Sequence, residues 1–223
     1  AVLEKAAEFS TLRADCVEWR IDCFEGAKDY SAIVHCAAKL RVALKDKLLL
    51  FTFRTKAEGG KVALAHEEYL HFIRTVLATD CADLIDIEFF TAGAELPALI
   101  EEAHTAGAAV VCSSHDFHKT PPRTELVSRM MQMQRAGADL PKLAVMPQSR
   151  ADVLELLAAT AEMADRHPET PIITMSMGAL GAVSRLSGEA LGSAMTFANP
   201  GQASAPGQVS LEVVNEVLDA LHL

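Results

Sequence analysis

Short apolar runs and amphipathic stretches alternate along the whole chain. Apolar runs of about four to eight residues predict buried strands, and apolar positions spaced three and four residues apart predict helices. Seven strands are predicted, at 16–22, 48–53, 84–89, 109–113, 141–147, 171–176 and 194–198. Eight helices are predicted, at 1–13, 29–43, 65–78, 94–106, 122–136, 149–166, 179–189 and 210–221.

The alternation of strands and helices indicates an α/β fold with parallel strands joined by helical crossovers. Two architectures fit this order, an open doubly wound sheet and a closed (β/α)8 TIM barrel. The dinucleotide fingerprint GxGxxG is absent, since Gly178 and Gly181 make only a GxxG. The element count favours the barrel. Because the chain begins on a helix, we expect the first barrel strand to be missing from the N-terminus, and one domain over 1–223.

Composition narrows the classes of protein that fit. Half of the 223 residues are hydrophobic, which suits a single domain with a large core. The net charge of −10 is spread along the chain, so nucleic acid is not expected as a partner. No apolar run reaches the ~18 residues of a membrane helix, and no membrane partner is expected. An odd number of cysteines without a CxxC pair predicts reduced thiols and a cytoplasmic protein.

The stretch from Pro141 to Pro147 is a short apolar run with one lysine inside it, Lys142. The run predicts a buried strand, and burying an ammonium group is costly unless it is paired or its pKa falls. Two interpretations follow. Lys142 is either a core lysine with a carboxylate partner or an amine adapted to chemistry.

Charged residues share one face of several predicted strands. Because side chains alternate across a strand, Glu18, Arg20 and Asp22 lie opposite an apolar face. The outer face of a barrel strand packs on helices, so the charged face is predicted to point inward. The same parity places further residues inward, namely Arg54, Asp86, Glu88, His115 and Lys142. A buried ion-pair network that only fixes strand register is the alternative, but an active site at the C-terminal strand ends explains the charges better.

Polar residues suited to catalysis or anion binding follow several strand ends. His115 follows the strand over 109–113, where a side chain with a near-neutral pKa is well placed as a general acid or base. Arg185 follows the strand over 171–176, and its guanidinium can clamp an anion through two hydrogen bonds. Gln208, beyond the last strand, offers a donor and an acceptor. Surface or loop roles without chemistry are the alternative for each residue taken alone.

The histidine spacing predicts no metal site. His115 and His118 lie close together, but no third ligand has a recognisable spacing. His66 and His71 point ~140° apart around a helix, which is not the arrangement of an HExxH zinc motif.

Several short motifs occur in order along the chain. They are Glu18-Trp19-Arg20, Phe51-Thr52-Phe53-Arg54 with Glu58-Gly59-Gly60, Ser114-His115-Asp116-Phe117, Pro141-Lys142, Ser184-Arg185 and Ser204-Ala205-Pro206-Gly207-Gln208. Each is weak alone, but the set resembles the type I 3-dehydroquinate dehydratase family over essentially all of the chain. The departure is at the front, where the family's first barrel strand and the hairpin before it have no counterpart.

The resemblance implies a single (β/α)8 barrel catalytic domain over 1–223. It implies a lyase of the shikimate pathway, without cofactor or metal, that converts the small molecule 3-dehydroquinate to 3-dehydroshikimate by loss of water. It also implies a homodimer.

The resemblance further assigns catalytic roles to three residues. Lys142 would form a Schiff base with the substrate ketone. His115 would take a proton from the adjacent carbon and then assist departure of the hydroxyl. Glu58 would orient and polarise His115.

Substrate-binding roles are implied for six more residues. The substrate carboxylate and a nearby hydroxyl would be held by Arg185, Ser204 and Gln208. The ring hydroxyls would be bound by Glu18, Arg20 and Arg54.

Two other functions stay open at this point. A Schiff-base aldolase would share barrel and lysine but break a C–C bond, and a non-catalytic sensor of quinate-like ligands would be expected to have lost Lys142 or His115.

Overall fold

The computed structural model describes residues 2–201 and 205–221 and divides into two compact units, Ala1–Cys112 and Ser113–Leu223. Within each unit the elements alternate as the hydrophobic pattern predicts. The strands are hydrogen-bonded in chain order in a six-stranded sheet. The prediction of a single catalytic domain over 1–223 stays a prediction.

The first unit contains three complete strands and the helices between them. They are α1 (Val2–Phe9), β1 (Cys16–Arg20), α2 (Tyr30–Leu44), β2 (Leu48–Thr52), α3 (His66–Leu77), β3 (Leu84–Glu88), α4 (Phe89–Ala92) and α5 (Leu96–Thr105). Strand β4 (Ala109–Asp116) begins in the first unit and ends in the second. Strands β1, β2 and β3 pair in parallel.

The second unit continues the alternation with two further strands. Its elements are α6 (Arg123–Arg135), β5 (Leu140–Val145), α7 (Arg150–Arg166), β6 (Ile173–Ser176), α8 (Ala182–Leu186) and α9 (Leu211–Leu221). Strands β5 and β6 pair in parallel, with Lys142 opposite Ile173 in the register. Among the helices of 2–201 and 205–221, none is both long and apolar enough to cross a bilayer.

Aromatic packing confirms the strand parity in the first unit. Trp19 on β1 stacks edge-on against Phe51 on β2, at a centroid distance of 5.5 Å. Phe53, two residues further along the same face, lies 4.9 Å from the Phe72 ring of α3. Trp19, Phe51 and Phe53 are buried. The apolar residues therefore cover the helix-facing side of the sheet, and Glu18, Thr52 and Arg54 take the opposite face, as alternation requires.

Two predicted element boundaries differ from the structure in a way that matters for the site. Strand β1 ends at Arg20, and Asp22 lies in the 3-10 turn Ile21–Cys23. Strand β4 runs on to Asp116, so His115 lies within the strand and not in the loop after it.

The predicted strand over 194–198 is wrong for the described chain. The backbone N–H groups of Ala194 and Asn199 donate to the carbonyls of Ile172 and Val209, at 2.8 Å and 2.9 Å. Only single bridges are formed, at Ser193 and Asn199. The apolar run pairs at its two ends and not along its length, so it lacks the ladder that defines a strand.

The predicted helix over 179–189 is shortened to α8 because of close backbone packing. Gly178 has φ +69°, a left-handed conformation that ends regular structure. At Gly181 a Cβ atom would lie 2.1 Å from the Ser176 carbonyl oxygen. The chain therefore turns tightly against the end of β6 before the helix begins.

The helix that follows the lysine strand has a complete N-terminal cap. Ser149 Oγ accepts a hydrogen bond from the Asp152 backbone N–H, and the Asp152 carboxylate accepts from the N–H of Ser149 and of Gln148. This capping box satisfies backbone donors that the helix itself leaves open. It fixes the start of α7 at Arg150, with four residues between the helix and the end of β5 at Val145.

We expect Ser149→Ala to lower the free energy of unfolding by about 1 kcal/mol, because the cap is lost. Ser31→Ala is the matched control, since Ser31 is an exposed helical residue that is not a cap. It should change the free energy by less than about 0.5 kcal/mol. Denaturant unfolding of the three proteins measures the difference, and equal losses for both variants would contradict the capping role.

Candidate active site

Arg54 is the centre of a buried charge cluster at the C-terminal ends of β2 and β3. Its Nη2 donates to Asp86 Oδ2 at 2.8 Å and its Nη1 donates to Glu88 Oε1 at 2.8 Å. Glu58 Oε2 lies 3.5 Å from the same Nη1. Arg54, Glu58, Asp86 and Glu88 are all buried. One guanidinium therefore faces three carboxylates away from water.

The electrostatics of this cluster fix Arg54 as a cation. Burial alone would lower the pKa of the Arg54 guanidinium, but the carboxylates of Asp86, Glu88 and Glu58 together raise that pKa above its ordinary value. Burial also raises the pKa of the Cys112 thiol, and Asp86 and Glu58 raise it further. Cys112 is therefore an inert thiol beside the cluster and not a nucleophile.

A second ion pair lies at the end of β1. Arg20 Nε and Nη2 donate to the two carboxylate oxygens of Asp22, both at 2.8 Å. Asp22 also accepts the backbone N–H of Arg54 at 3.3 Å and of Lys61 at 3.2 Å. Burial would raise the pKa of Asp22, but Arg20 and these N–H groups hold it below its ordinary value. Asp22 thus joins the end of β1 to two points of the loop between β2 and α3.

Glu18 lies on the same face of β1 as Arg20 and keeps part of its surface exposed. Its Oε1 accepts a hydrogen bond from Thr52 Oγ1 at 2.8 Å. In the first unit the structure thus brings Glu58 together with five of the charges predicted to point inward, Glu18, Arg20, Arg54, Asp86 and Glu88. They form a polar surface of carboxylates and guanidinium groups that can hold a polyhydroxylated ligand.

Lys142 is buried in the second unit, at the first register pair of strands β5 and β6. The residue is 3% exposed, and its Nζ lies 4.3 Å from the centroid of the Phe197 ring. A cation over an aromatic face is attracted by the ring quadrupole. The amine is thus held against an aromatic wall in a strand that is otherwise apolar.

His115 keeps part of its surface exposed near the end of β4, where a catalytic base can reach a ligand. The next residue, Asp116, accepts hydrogen bonds from the backbone N–H groups of His118 and Lys119, at 2.8 Å and 3.0 Å. This turn fixes the chain directly after His115. His118 is exposed, and within 2–201 and 205–221 no group of His, Cys, Asp or Glu side chains could hold a metal ion.

Arg185 is the second buried guanidinium, and its surroundings are unlike those of Arg54. Its Nη1 lies 3.5 Å from Met175 Sδ and its Nη2 donates to the Pro206 carbonyl at 3.3 Å, whereas Nε has no hydrogen-bond partner. Among the described residues no carboxylate pairs with it. Burial lowers its pKa from the ordinary value. Such a group is suited to receive an anion.

The segment over 205–208 contacts Arg185 through the backbone carbonyl of Pro206. Gly207 has φ +75°, and a Cβ atom there would lie 2.3 Å from the Gly178 carbonyl oxygen. Only glycine fits this close approach. Gln208 follows directly and is half-buried. The predicted site residue Ser204 lies outside the described residues.

Two residues of the second-unit site were not singled out by the sequence. Phe197 lies in the segment first predicted to be a strand, and Met175 is one residue of the β6 run. Phe197 contacts Lys142 and Met175 contacts Arg185, and in each case the two residues lie 10 or more positions apart in the sequence. Parity along β6 could have indicated which side Met175 occupies, but no sequence pattern pairs Phe197 with Lys142.

Comparison with known proteins decides the family. The model of the family described as type I 3-dehydroquinase matches residues 1–223. The chain belongs to the type I 3-dehydroquinase family. The predicted family and its enzyme class, a hydro-lyase, are thereby confirmed.

Individual relatives agree with the family match. The chain is 49% identical to a 3-dehydroquinate dehydratase of Klebsiella pneumoniae (strain 342) over 208 residues, 93% of this chain and 83% of that one. It is 47% identical to the 3-dehydroquinate dehydratase of Bacillus subtilis (strain 168) over 221 residues, 99% of this chain and 87% of that one.

Solved structures of the type I 3-dehydroquinase family confirm the predicted fold class. A type I 3-dehydroquinate dehydratase from Clostridium difficile, crystallised with covalent modified comenic acid, has a TM-score of 0.95 and 43% identity. The match covers 99% of this chain and 87% of that one. The fold is the α/β TIM-barrel class with six parallel strands in the described chain.

We expect Arg54→Met to lower the free energy of unfolding by about 3–5 kcal/mol, because it leaves buried carboxylates without their counter-charge. Arg74→Met is the matched control, since Arg74 pairs with Glu102 at 2.8 Å but its side chain is 43% exposed. That change should cost no more than about 1 kcal/mol. Denaturant titration measures both, and similar losses would show that the cluster is not electrostatically special.

Proposed function

We propose that the protein removes water from 3-dehydroquinate to give 3-dehydroshikimate, through a Schiff base on Lys142. The observation that carries the proposal is the buried amine of Lys142 on β5 in a chain of the type I 3-dehydroquinase family. A ring ketone is the electrophile that suits such an amine. The covalent modified comenic acid in the Clostridium difficile relative supports covalent chemistry in this fold.

The proposed reaction begins with imine formation. The neutral amine of Lys142 attacks the ketone carbon, and the carbinolamine takes up a proton from the solvent and loses water to leave an iminium cation. The iminium withdraws electrons from the adjacent carbon, so its C–H bond becomes acidic. A nitrogen of His115 takes that proton, and the electron pair moves into the ring as an enamine.

Elimination and release complete the proposed cycle. The enamine expels the neighbouring hydroxyl, which leaves as water with a proton from the protonated His115. The product is then a conjugated iminium. Attack of water on this iminium, assisted by His115, restores the free Lys142 amine and releases the enone. In this scheme Glu58 orients and polarises His115, so that one histidine serves in turn as base and acid.

Carboxylate recognition is assigned to Arg185, together with Ser204 and Gln208, as the family resemblance implies. Arg185 supports this role because it is buried, has an unused Nε donor, and pairs with no carboxylate of the described chain. A substrate carboxylate would supply the missing counter-charge. The cost of burying Arg185 is thereby offset when ligand is bound.

Recognition of the ring hydroxyls is assigned to Glu18, Arg20 and Arg54. Glu18 and Arg20 keep exposed surface on the inner face of β1 and offer an acceptor and a donor. Arg54 already donates to two carboxylates, so its part in binding is to hold the polar surface in place as well as to contact ligand.

We further propose a homodimer in the cytoplasm, acting as one catalytic domain over 1–223. All five cysteines are free thiols, which is typical of a reducing compartment. The dimer rests on the family resemblance. Sedimentation velocity of the purified protein would test it, and a monomer at micromolar concentration would contradict it.

Borohydride added during turnover should trap a stable adduct on Lys142 and inactivate the protein, because it reduces the iminium to a secondary amine. The intact mass should rise by one reduced ligand, and peptide mapping should place it on the segment containing Lys142. Lys142→Ala should neither trap nor form the enone absorbance. Lys119→Ala, an exposed lysine, is the control and should do both. A label on another lysine of an active preparation would overturn the mechanism, and C–C cleavage products would indicate an aldolase.

Arg185→Ala should weaken substrate binding by about 1.5–3 kcal/mol, because a charge-assisted contact to the carboxylate is lost. Lys119→Ala again serves as the control, with an unchanged dissociation constant. Direct binding of 3-dehydroquinate to the Lys142→Ala background separates binding from turnover. Equal affinity with and without Arg185 would remove it from the site.

A further inference from the structure

Glu88, the last residue of β3, is held by four hydrogen-bond donors and has none of its surface exposed. Its Oε1 accepts from Arg54 Nη1 and from the Thr55 backbone N–H, both at 2.8 Å. Its Oε2 accepts from Thr55 Oγ1 at 2.7 Å and from Thr91 Oγ1 at 2.6 Å. Each oxygen therefore has two donors, which fixes the carboxylate in one orientation.

Thr55 passes this constraint to the loop that carries Glu58. The Thr55 carbonyl accepts the backbone N–H of Glu58 at 3.0 Å and of Gly60 at 2.8 Å. A Cβ atom at Gly60 would lie 1.8 Å from the Arg54 carbonyl oxygen, so the loop closes tightly on its own start. The position of the Glu58 backbone thus depends on Thr55, and Thr55 is held by Glu88.

The shared guanidinium gives a second connection between Glu88 and Glu58. Arg54 Nη1 is 2.8 Å from Glu88 but 3.5 Å from Glu58. Glu88 therefore takes the short contact, and Glu58 is held more loosely by the same nitrogen. Without the charge of Glu88, Arg54 would attract Glu58 more strongly and draw its carboxylate towards Nη1.

We propose that Glu88 is a positioning residue for the reaction, which acts by keeping the Glu58 carboxylate off Arg54 and in place. This inference rests on the proposed function, in which Glu58 orients His115. Glu88 contacts neither the ligand nor Lys142 in this proposal. Its effect falls on proton transfer and leaves substrate binding and imine formation intact.

The main test is Glu88→Gln, which keeps the shape and removes the charge. We expect kcat to fall about 10- to 100-fold, a part of the roughly 10²- to 10⁴-fold that acid–base catalysis contributes, with KM changed less than about threefold. In a Glu58→Gln background the same change should lower kcat less than about threefold, because the two residues act as one unit. Additive losses of kcat in the double variant would overturn the proposal, and so would a change in KM without a fall in kcat.

A milder variant keeps the test decisive if Glu88→Gln does not fold. Thr91→Val removes one donor to Glu88 and keeps the side-chain volume, and it should lower kcat about three- to tenfold. Thr91→Ser keeps the hydroxyl and should restore kcat to within about twofold of the parent. Wild-type kcat in Thr91→Val would contradict the proposal.

Thr160→Val is the control for the effect on kcat of a loss of stability alone. Thr160 Oγ1 and Thr174 Oγ1 form a buried hydroxyl pair at 2.7 Å between α7 and β6. This variant should lower the melting temperature and leave kcat unchanged. A fall in kcat similar to that of Thr91→Val would make the effect of Thr91 structural and overturn the assignment.

Borohydride trapping separates this inference from the proposed function. If the wild type is trapped on Lys142 and Glu88→Gln is trapped at a similar rate but turns over slowly, both stand. Trapping that fails in an active wild type refutes the Schiff base itself. Trapping that succeeds in the wild type but is slowed in Glu88→Gln as much as turnover refutes only the positioning role.

Discussion

The buried contact of Arg54 with Asp86 and Glu88 is the interaction on which the polar part of the first unit depends. Two carboxylates without water would be too costly to keep ionised, and the guanidinium supplies donors at 2.8 Å to each. Because Arg54 lies two residues after β2 ends at Thr52, the same side chain also holds the first part of the following loop in place. One residue thus both neutralises the buried carboxylates and holds the loop after β2.

The strands and their charged faces were predictable because they depend on local pattern. Alternation placed Glu18, Arg54, Asp86 and Glu88 on one side of the sheet and Phe51 on the other, and burial and aromatic contacts agree. The family followed from short motifs in fixed order. These features need no knowledge of which distant residues meet, since periodicity alone separates the two faces of a strand.

Relations between distant residues were not predictable in this way. The run over 194–198 has the composition of a strand, but whether it forms one depends on a partner along its whole length, and it pairs only near its ends. The ring of Phe197 reaches Lys142 from that segment. The threonines that hold Glu88 lie in the loop after β2 and in the short helix α4, and no sequence pattern marks their hydroxyls as its donors. Sequence indicates that Arg185 is charged but not that the described chain gives it no counter-ion.

Arg185 has no carboxylate partner among the described residues, which lowers stability but suits the anion binding that we propose for it. A buried cation whose Nε lacks an acceptor weakens the ligand-free fold, and an apolar side chain of similar size would pack there with less penalty. Substitutions that stabilise the protein are therefore available at this position, at the expense of the anion recognition that we propose for Arg185. Selection for activity would keep the less stable residue, so a search for thermostable variants that ignored catalysis would be expected to replace Arg185 early.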